Sequence, residues 1–88
     1  MRNVIGLTQF RRDVKLAGKR GDDLSKLREA ILLLAAGSPL PARYKDRALA
    51  GNWTHHRDCH IEPDWLLIYE IDRNDLYLVR TGTHADLF

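Results

Sequence analysis

The stretch from Trp53 to Thr83, WTHHRDCHIEPDWLLIYEIDRNDLYLVRTGT, decides the fold. Its apolar residues recur at about every second position, which is the period of a β-strand. Two turn sequences, Glu62-Pro63-Asp64 and Asp72-Arg73-Asn74-Asp75, interrupt this pattern. Because such short connections pair neighbouring strands antiparallel, the stretch predicts a three-stranded meander. The predicted strands are Trp53–Ile61, Trp65–Ile71 and Leu76–Thr83.

An apolar run and a helical pattern precede the meander. Val4–Leu7 predicts a first strand, and Thr8 offers a side-chain oxygen that can cap a following helix. Phe10, Val14 and Ala17 recur at spacings of four and three, which is typical of an amphipathic helix. Glycine follows its basic end and predicts the stop. This helix is predicted near Gln9–Arg20.

A second helix is predicted after Asp22 and Asp23, either of which can cap it, and Gly37 ends it. Residues 37–52 show little periodicity and predict a long crossing loop, which in compact domains often carries function. The whole pattern predicts one α+β domain over residues 1–88. Its N-terminal strand and two helices pack on an antiparallel sheet that the meander completes. The apolar stripe of the second helix is Leu24, Leu27, Ile31 and Leu34.

The composition is that of a globular protein, with 44% hydrophobic and 30% charged residues in a chain of 88. The longest apolar run, Ala30–Ala36, is far below the roughly 18 residues of a membrane span, and no signal-peptide core follows Met1. We therefore expect a cytoplasmic protein without membrane contact. The single cysteine, Cys59, has no disulfide partner within the chain and is expected to be a buried, inert thiol.

Basic residues are clustered although the net charge is only +2. Such clusters suit a phosphate backbone, and a solvated helix face is the alternative interpretation. Charge alone does not decide between these two. The clusters are Arg11-Arg12, Lys15 and Lys19-Arg20 in the first helix, and Arg43, Lys45 and Arg47 in the loop.

All four histidines lie beyond Trp53. Strand alternation predicts His56 and His60 on one face and His55 on the other. A zinc site built from these residues and Cys59 is the obvious alternative. However, His56 and His60 are about 13 Å apart along a strand, too far to share an ion whose ligands lie near 2 Å.

The turn after His60 is expected to bring Asp64 and Trp65 beside it, at one edge of the sheet. The end of the last strand, which carries His84, can reach the same edge if it pairs with its neighbour. A structural role, as a sheet histidine, a turn carboxylate or a core aromatic residue, is the alternative for each of these side chains. The sequence therefore predicts a candidate site at this edge.

Long motifs in the chain resemble the YafQ family, within the RelE superfamily of toxin-antitoxin toxins. The most specific are RDCHIEPDWLLIY over Arg57–Tyr69 and RTGTHADLF over Arg80–Phe88. Weaker matches cover Pro39–Tyr44 and Asp46–Trp53 in the loop and Phe10–Asp13 in the first helix. The resemblance extends over essentially the whole chain.

The resemblance implies a RelE-like fold and a ribosome-dependent endoribonuclease that cuts messenger RNA in the decoding site. It also implies an antitoxin encoded beside the gene, whose complex with the toxin binds operator DNA, and no metal or other cofactor. Catalysis and substrate placement are implied for the residues that match the family's functional positions. Those residues are His60, Asp64, Trp65, His84 and Phe88.

One position departs from the family pattern. Many relatives have a histidine where this chain has Arg47, after Asp46. Arginine is always protonated, so it can hold a phosphate but cannot abstract a proton. A proton-abstracting role of that histidine therefore does not carry over to Arg47, and proton transfer is expected to shift to His60 and Asp64.

The chemistry needs a base for the 2′-hydroxyl, an acid for the 5′-oxygen and a cation at the phosphate. We predict His84 as the general acid, with His60 or Asp64 as the base, or Asp64 orienting His60. The phosphate is expected to face Arg80 or Arg47. The aromatic side chains of the motifs, Trp65 and Phe88, are expected to stack on bases or to pack the site.

Two alternatives belong to other functional classes. A relative that acts only by binding, as a transcriptional co-repressor with an antitoxin or as a gyrase-directed toxin, needs no proton-transfer groups. The substitution at Arg47 favours it, whereas the combination of His60, Asp64 and His84 argues against it. A metal-binding module is the other alternative, and it would carry zinc and lose its fold on chelation.

Overall fold

The computed structural model describes all 88 residues as an α+β fold of three helices and five strands. Two single turns of 3₁₀ helix, Ala42–Tyr44 and Gly51–Trp53, interrupt the long loop. The helices are α1 (Thr8–Lys19), α2 (Leu24–Ala35) and α3 (His84–Leu87). The strands are β1 (Asn3–Gly6), β2 (Arg47–Ala48), β3 (Arg57–Glu62), β4 (Trp65–Asp72) and β5 (Asp75–Gly82).

The five strands form one sheet in the order β1-β5-β4-β3-β2. The predicted meander of β3, β4 and β5 is confirmed, with both pairings antiparallel. The first strand, however, pairs parallel with β5, with Val4 opposite Leu76. The predicted α+β fold is therefore confirmed, but the sheet is mixed and not antiparallel as predicted, because its first strand is parallel to β5.

The region before the meander differs from its predicted conformation. Residues 53–56 are not part of β3, because Trp53 ends a 3₁₀ turn and His55 has a φ of 73°. This left-handed conformation is incompatible with a strand, so the alternation that assigned faces to His55 and His56 does not apply. The predicted loop is also more ordered than expected, since it contains β2, which pairs Arg47 with Asp58.

The helix ends are capped differently from each other. The predicted cap at Thr8 is wrong, because α1 begins there and its N-cap, Leu7, makes no side-chain bond. The second helix has the expected aspartate cap, since the Asp23 carboxylate accepts a hydrogen bond from the backbone N–H of Ser25 at 3.0 Å. The predicted stripe of α2 is buried at Leu27 and Leu34, whereas Leu24 is exposed.

The two faces of the sheet have different coverings. Leu67 and Tyr69 in β4 belong to the main core, together with buried residues of α1 and α2. Their neighbours Leu66 and Ile68 point to the opposite face, where the buried side chain of Leu87 in α3 packs on them. The terminal helix is thus anchored on the side of the sheet away from α1 and α2. None of the helices is long and apolar enough for a transmembrane segment.

A largely buried ion pair joins α1 to β5. The Asp13 carboxylate accepts hydrogen bonds from Arg80 Nε at 2.7 Å and from the buried backbone N–H of Thr81 at 3.1 Å. The Asp13 side chain is 8% exposed and that of Arg80 27% exposed. The pair therefore leaves costly unpaired groups if one partner is removed.

Replacing Asp13 with alanine is expected to lower the free energy of unfolding by about 3 kcal/mol. The Arg80 guanidinium and the Thr81 N–H would both lose a buried acceptor. Urea denaturation followed by circular dichroism measures the change. Asp72→Ala, at an exposed site without a side-chain hydrogen bond, serves as the control and should stay within about 0.5 kcal/mol of the wild type. Equal stability of the two variants would contradict the assignment.

Candidate active site

Four of the predicted site residues come from three parts of the chain: a strand, the turn after it and the C-terminal tail. His60 lies near the end of β3, and Asp64 lies in the turn that follows. His84 is the first residue of α3, and Phe88 is the last residue of the chain. The tail reaches His60 because Gly82, at the end of β5, pairs with Leu66, which itself pairs with His60 across β4. The register of the meander therefore brings both histidines to one edge.

Asp64 contacts His84 directly. Its Oδ1 accepts one hydrogen bond from the His84 ring Nδ1 at 2.5 Å and another from the His84 backbone N–H at 2.9 Å. These bonds hold the pKa of the Asp64 carboxyl below its usual value, the backbone bond being the larger cause. An ionised carboxylate can only accept, so Nδ1 of His84 carries the proton. Nε2 of His84 is then the ring nitrogen available for proton exchange.

This contact corrects one sequence-based alternative. Asp64 bonds to His84 and makes no hydrogen bond with His60, so the hypothesis that Asp64 orients His60 was wrong. The lowered pKa also makes the carboxylate a weaker base than an ordinary aspartate. Asp64 is therefore a partner of His84 and not of His60.

His60 faces His84 across the edge of the sheet. Their ring centroids are 5.7 Å apart with an angle of 50° between the ring planes. The Nδ1 atom of His60 is buried and has no hydrogen-bond partner, whereas its Nε2 is neither buried nor bonded to the protein. Two imidazoles therefore lie close together, each with an unengaged ring nitrogen.

Trp65 packs beneath this edge. The residue is 3% exposed, and its Nε1–H donates to the Thr81 hydroxyl at 2.9 Å. That hydroxyl in turn donates to the backbone carbonyl of Leu66 at 2.7 Å. A buried, hydrogen-bonded indole cannot stack on a base, so the structure leaves Trp65 only the packing role of the two that were predicted.

Phe88 is the exposed aromatic residue of the tail, with 58% of its surface accessible. It lies edge-on to Trp53, with ring centroids 6.4 Å apart, and Trp53 lies edge-on to His56 at 5.4 Å. We call these three residues the aromatic ledge. Sequence reasoning missed the ledge because it assigned Trp53 and His56 to a strand, and the turn sequence Gly51-Asn52 was the available signal against that assignment.

The two candidate phosphate cations have different partners. Arg80 is engaged by the buried carboxylate of Asp13. Arg47 donates from Nε and Nη2 to Asp58, at 3.0 and 3.2 Å, and its side chain remains 56% exposed. Arg47 pairs across the sheet with Asp58, which lies two residues, or about 7 Å, before His60 on the same face of β3. Arg47 is therefore the cation with a free, exposed edge near the site.

The cysteine and the remaining histidine contribute no ligand cluster. Cys59 is fully buried, and this burial raises the pKa of its thiol to about 12. His55 is exposed in the turn before β3. No group of three or more His, Cys, Asp or Glu side chains is placed to hold a metal ion.

Comparison with known proteins shows which proteins share this sequence and architecture. Residues 2–88 match the family described as the bacterial toxin of type II toxin-antitoxin systems, YafQ. The mRNA interferase toxin YafQ of Escherichia coli K12 is 52% identical over 81 residues, covering 91% of this chain and 88% of its own. The crystal structure of YafQ from E. coli BL21(DE3) has a TM-score of 0.95 at 47% identity, covering 100% of this chain and 99% of its own.

A second solved structure is that of the E. coli DinJ-YafQ complex. Its matching chain has a TM-score of 0.93 at 48% identity, over 100% of this chain and 99% of that one. The mixed sheet and these likenesses thus define a small bacterial toxin with a RelE-like fold. Within that class, the chain belongs to the YafQ family of type II toxin-antitoxin systems.

Proposed function

We propose that this protein is an mRNA interferase, an endoribonuclease that cleaves messenger RNA on the ribosome by metal-independent acid-base catalysis. The observation that carries the proposal is the pair of imidazoles, His60 and His84, 5.7 Å apart with Asp64 bonded to the second. The toxin works in the cytoplasm, where translating ribosomes present the substrate.

The reaction assigns one proton transfer to each histidine. His60 takes the proton of the 2′-hydroxyl, and the resulting oxygen attacks the adjacent phosphorus. The bond from phosphorus to the 5′-oxygen breaks, and Nε2 of His84 supplies a proton to that oxygen. The products are a 2′,3′-cyclic phosphate and a 5′-hydroxyl end, with His60 left protonated and His84 neutral. Histidine suits both roles because its two forms interconvert near neutral pH.

Asp64 supports the acid rather than acting as the base. By accepting from Nδ1, it holds the tautomer and orientation in which Nε2 faces the leaving oxygen. This is the same arrangement by which carboxylates orient histidines in other acid-base sites.

The remaining residues bind substrate. Arg47 faces the phosphate with the part of its guanidinium that Asp58 does not engage. Phe88, at the end of the aromatic ledge, offers an exposed ring on which a base can stack, a contact worth about 1 to 3 kcal/mol. Trp65 fixes the floor of the site through its bond to Thr81.

An antitoxin is the proposed protein partner. The E. coli relative was solved in complex with DinJ, and this chain shares 48% identity with the matching chain of that structure. We therefore expect a cognate antitoxin to bind this toxin and to abolish RNA cleavage. From the same family membership we also propose that the toxin-antitoxin complex binds operator DNA.

Primer extension on a translated reporter message tests the proposed activity. Wild-type protein, with and without programmed ribosomes, is compared with His60→Ala, Asp64→Ala and His84→Ala. We expect defined cuts with the wild type only when ribosomes are present, and strongly reduced cuts with the three variants. Wild-type protein that binds ribosomes or DNA without cutting would instead support a toxin that acts by binding alone.

Replacing Arg47 with alanine is expected to slow cleavage by about 10²-fold, the usual loss when one preorganised charge-stabilising donor is removed. The same change leaves the fully buried Asp58 carboxylate without its partner and costs about 2 kcal/mol of stability. The double variant Arg47→Ala/Asp58→Asn separates the two effects, because it removes the buried charge. Single-turnover cleavage and urea denaturation are the measurements. Recovery of both rate and stability in the double variant would show that Arg47 has only a structural role.

A further inference from the structure

The histidine proposed as the acid belongs to a helix of only four residues at the end of the chain, His84–Leu87. Its side chain is 47% exposed, so burial does not fix its position. A helix this short does not hold itself together in water, because it closes too few backbone hydrogen bonds. Contacts with the rest of the protein must therefore hold His84.

A reciprocal capping box starts this helix. The Thr83 hydroxyl accepts a hydrogen bond from the backbone N–H of Asp86 at 3.1 Å, and the Asp86 carboxylate accepts one from the backbone N–H of Thr83 at 2.9 Å. These two residues enclose His84 and Ala85 in one closed turn. Leu87, the next residue, is buried against Leu66 and Ile68 and holds the far end of the turn.

Arg20, the C-cap residue of α1, forms an ion pair with Asp86 of this capping box. Its guanidinium donates to both Asp86 oxygens, at 2.6 and 3.2 Å, across 66 residues of sequence. The contact lowers the pKa of the Asp86 carboxyl well below its usual value, so the carboxylate stays charged. The backbone of Arg20 is itself fixed, because its N–H donates to the Leu16 carbonyl at 3.0 Å.

Gly82 permits the close approach of Asp86. A Cβ atom at this position would lie 2.9 Å from Asp86 Oδ2 and 3.0 Å from Asp86 Cβ. Any residue other than glycine would therefore displace the Asp86 side chain. We call Arg20, Gly82, Thr83 and Asp86 the tail clamp. Arg20 is the C-cap of α1, Gly82 ends β5, Thr83 is the N-cap of α3 and Asp86 lies in α3, so the clamp joins three elements around the turn that carries His84.

We infer that Arg20 is a positioning residue for His84, acting through Asp86 and the capping box. The inference rests on the proposed ribonuclease function. Arg20 belongs to the basic stretch Lys19-Arg20, for which the sequence left open a phosphate contact or a solvated helix face, but its guanidinium is paired with Asp86. An exposed ion pair contributes little to global stability, so the effect of this one is local order in the tail. Small displacements of a proton-transfer group cost rate rather than binding.

Arg20→Ala is the principal test, and Lys19→Ala is the matched control, since Lys19 is the neighbouring exposed cation. We expect Arg20→Ala to lower kcat for ribosome-bound message by about 10- to 100-fold, with KM little changed. Arg20→Lys, which keeps the charge but not the two-pronged geometry, should recover part of kcat. Lys19→Ala should retain the wild-type kcat. A changed KM with an unchanged kcat would mean that Arg20 binds RNA, which overturns the inference.

A second readout does not depend on cleavage. Side-chain NMR of ¹⁵N-labelled protein should show His84 of the wild type in one state, with Nδ1 protonated and bonded to Asp64. In Arg20→Ala and Asp86→Asn, the His84 signals should broaden or multiply while those of His60 persist. Unchanged His84 signals would overturn the inference. If the wild type fails to cut RNA, the proposed function fails, whereas the NMR comparison still decides the tail clamp.

Discussion

Replacing His84 with alanine is expected to lower the rate of message cleavage by about 10²- to 10⁴-fold, the usual contribution of a positioned general acid. Without the imidazole, the 5′-oxygen must leave unprotonated or take its proton from water. The change should leave the fold intact, because the backbone N–H of residue 84 still donates to Asp64 and Leu87 remains buried. Single-turnover cleavage of a reporter message on programmed ribosomes measures the effect.

The control for this prediction is His55→Asn. His55 is also exposed, but it lies in the turn before β3 and in a left-handed conformation that asparagine tolerates. The His55→Asn substitution removes an imidazole that lies outside the site, so cleavage should proceed at the wild-type rate. A rate for His84→Ala equal to that of the control would contradict the acid assignment. Circular dichroism of both variants verifies that the fold is retained.

The parts of the structure that were predictable have local signals. The run from Trp65 to Ile71, apolar at every position but Glu70, indicated a buried strand, and the flanking turn residues specified its antiparallel neighbours. Once the meander was known, its register brought His60 and the tail to one edge. The helical stripes of α1 and α2 were also largely correct, since a buried helix face requires apolar residues at a spacing of three and four.

The parts that were missed depend on contacts between distant residues. The parallel pairing of β1 with β5 joins residues about 70 positions apart, and a four-residue strand shows no orientation in its own sequence. The two-residue strand β2 is too short to have a period. The left-handed backbone at His55 breaks a pattern that alternation alone treats as strand.

The candidate site also has features that were predictable from local sequence and features that depend on tertiary contacts. The residue types and their approximate place were predictable, because proton-transfer groups and aromatic residues concentrate in the last part of the chain. The hydrogen-bond partners of these residues were not predictable. Whether Asp64 bonds to His60 or to His84 depends on ångström-scale placement of the tail, and so does the engagement of Arg20 by Asp86. Sequence patterns identify candidates, whereas tertiary geometry assigns partners.

His60→Ala is expected to reduce cleavage by about 10²- to 10⁴-fold, the value of a general base, and to change the pH dependence of what remains. A base acts only when deprotonated, so it makes the rate rise with pH on the acid side of the profile. An acid acts only when protonated, so it makes the rate fall on the alkaline side. The wild type should therefore show a bell-shaped profile, and His60→Ala should lose the acid limb and keep the alkaline one.

Asp64 is the competing assignment for the acid limb. Its two bonds from His84 hold its pKa below the ordinary value, so the carboxylate is already ionised well below neutral pH and should produce neither limb there. Asp64→Asn is the matched variant, because the amide oxygen can still accept from Nδ1 of His84 while the charge is removed. We expect Asp64→Asn to cut slowly with the acid limb in place. An acid limb that disappears in Asp64→Asn and survives in His60→Ala would identify Asp64 as the base, and His60 would then have only a supporting role.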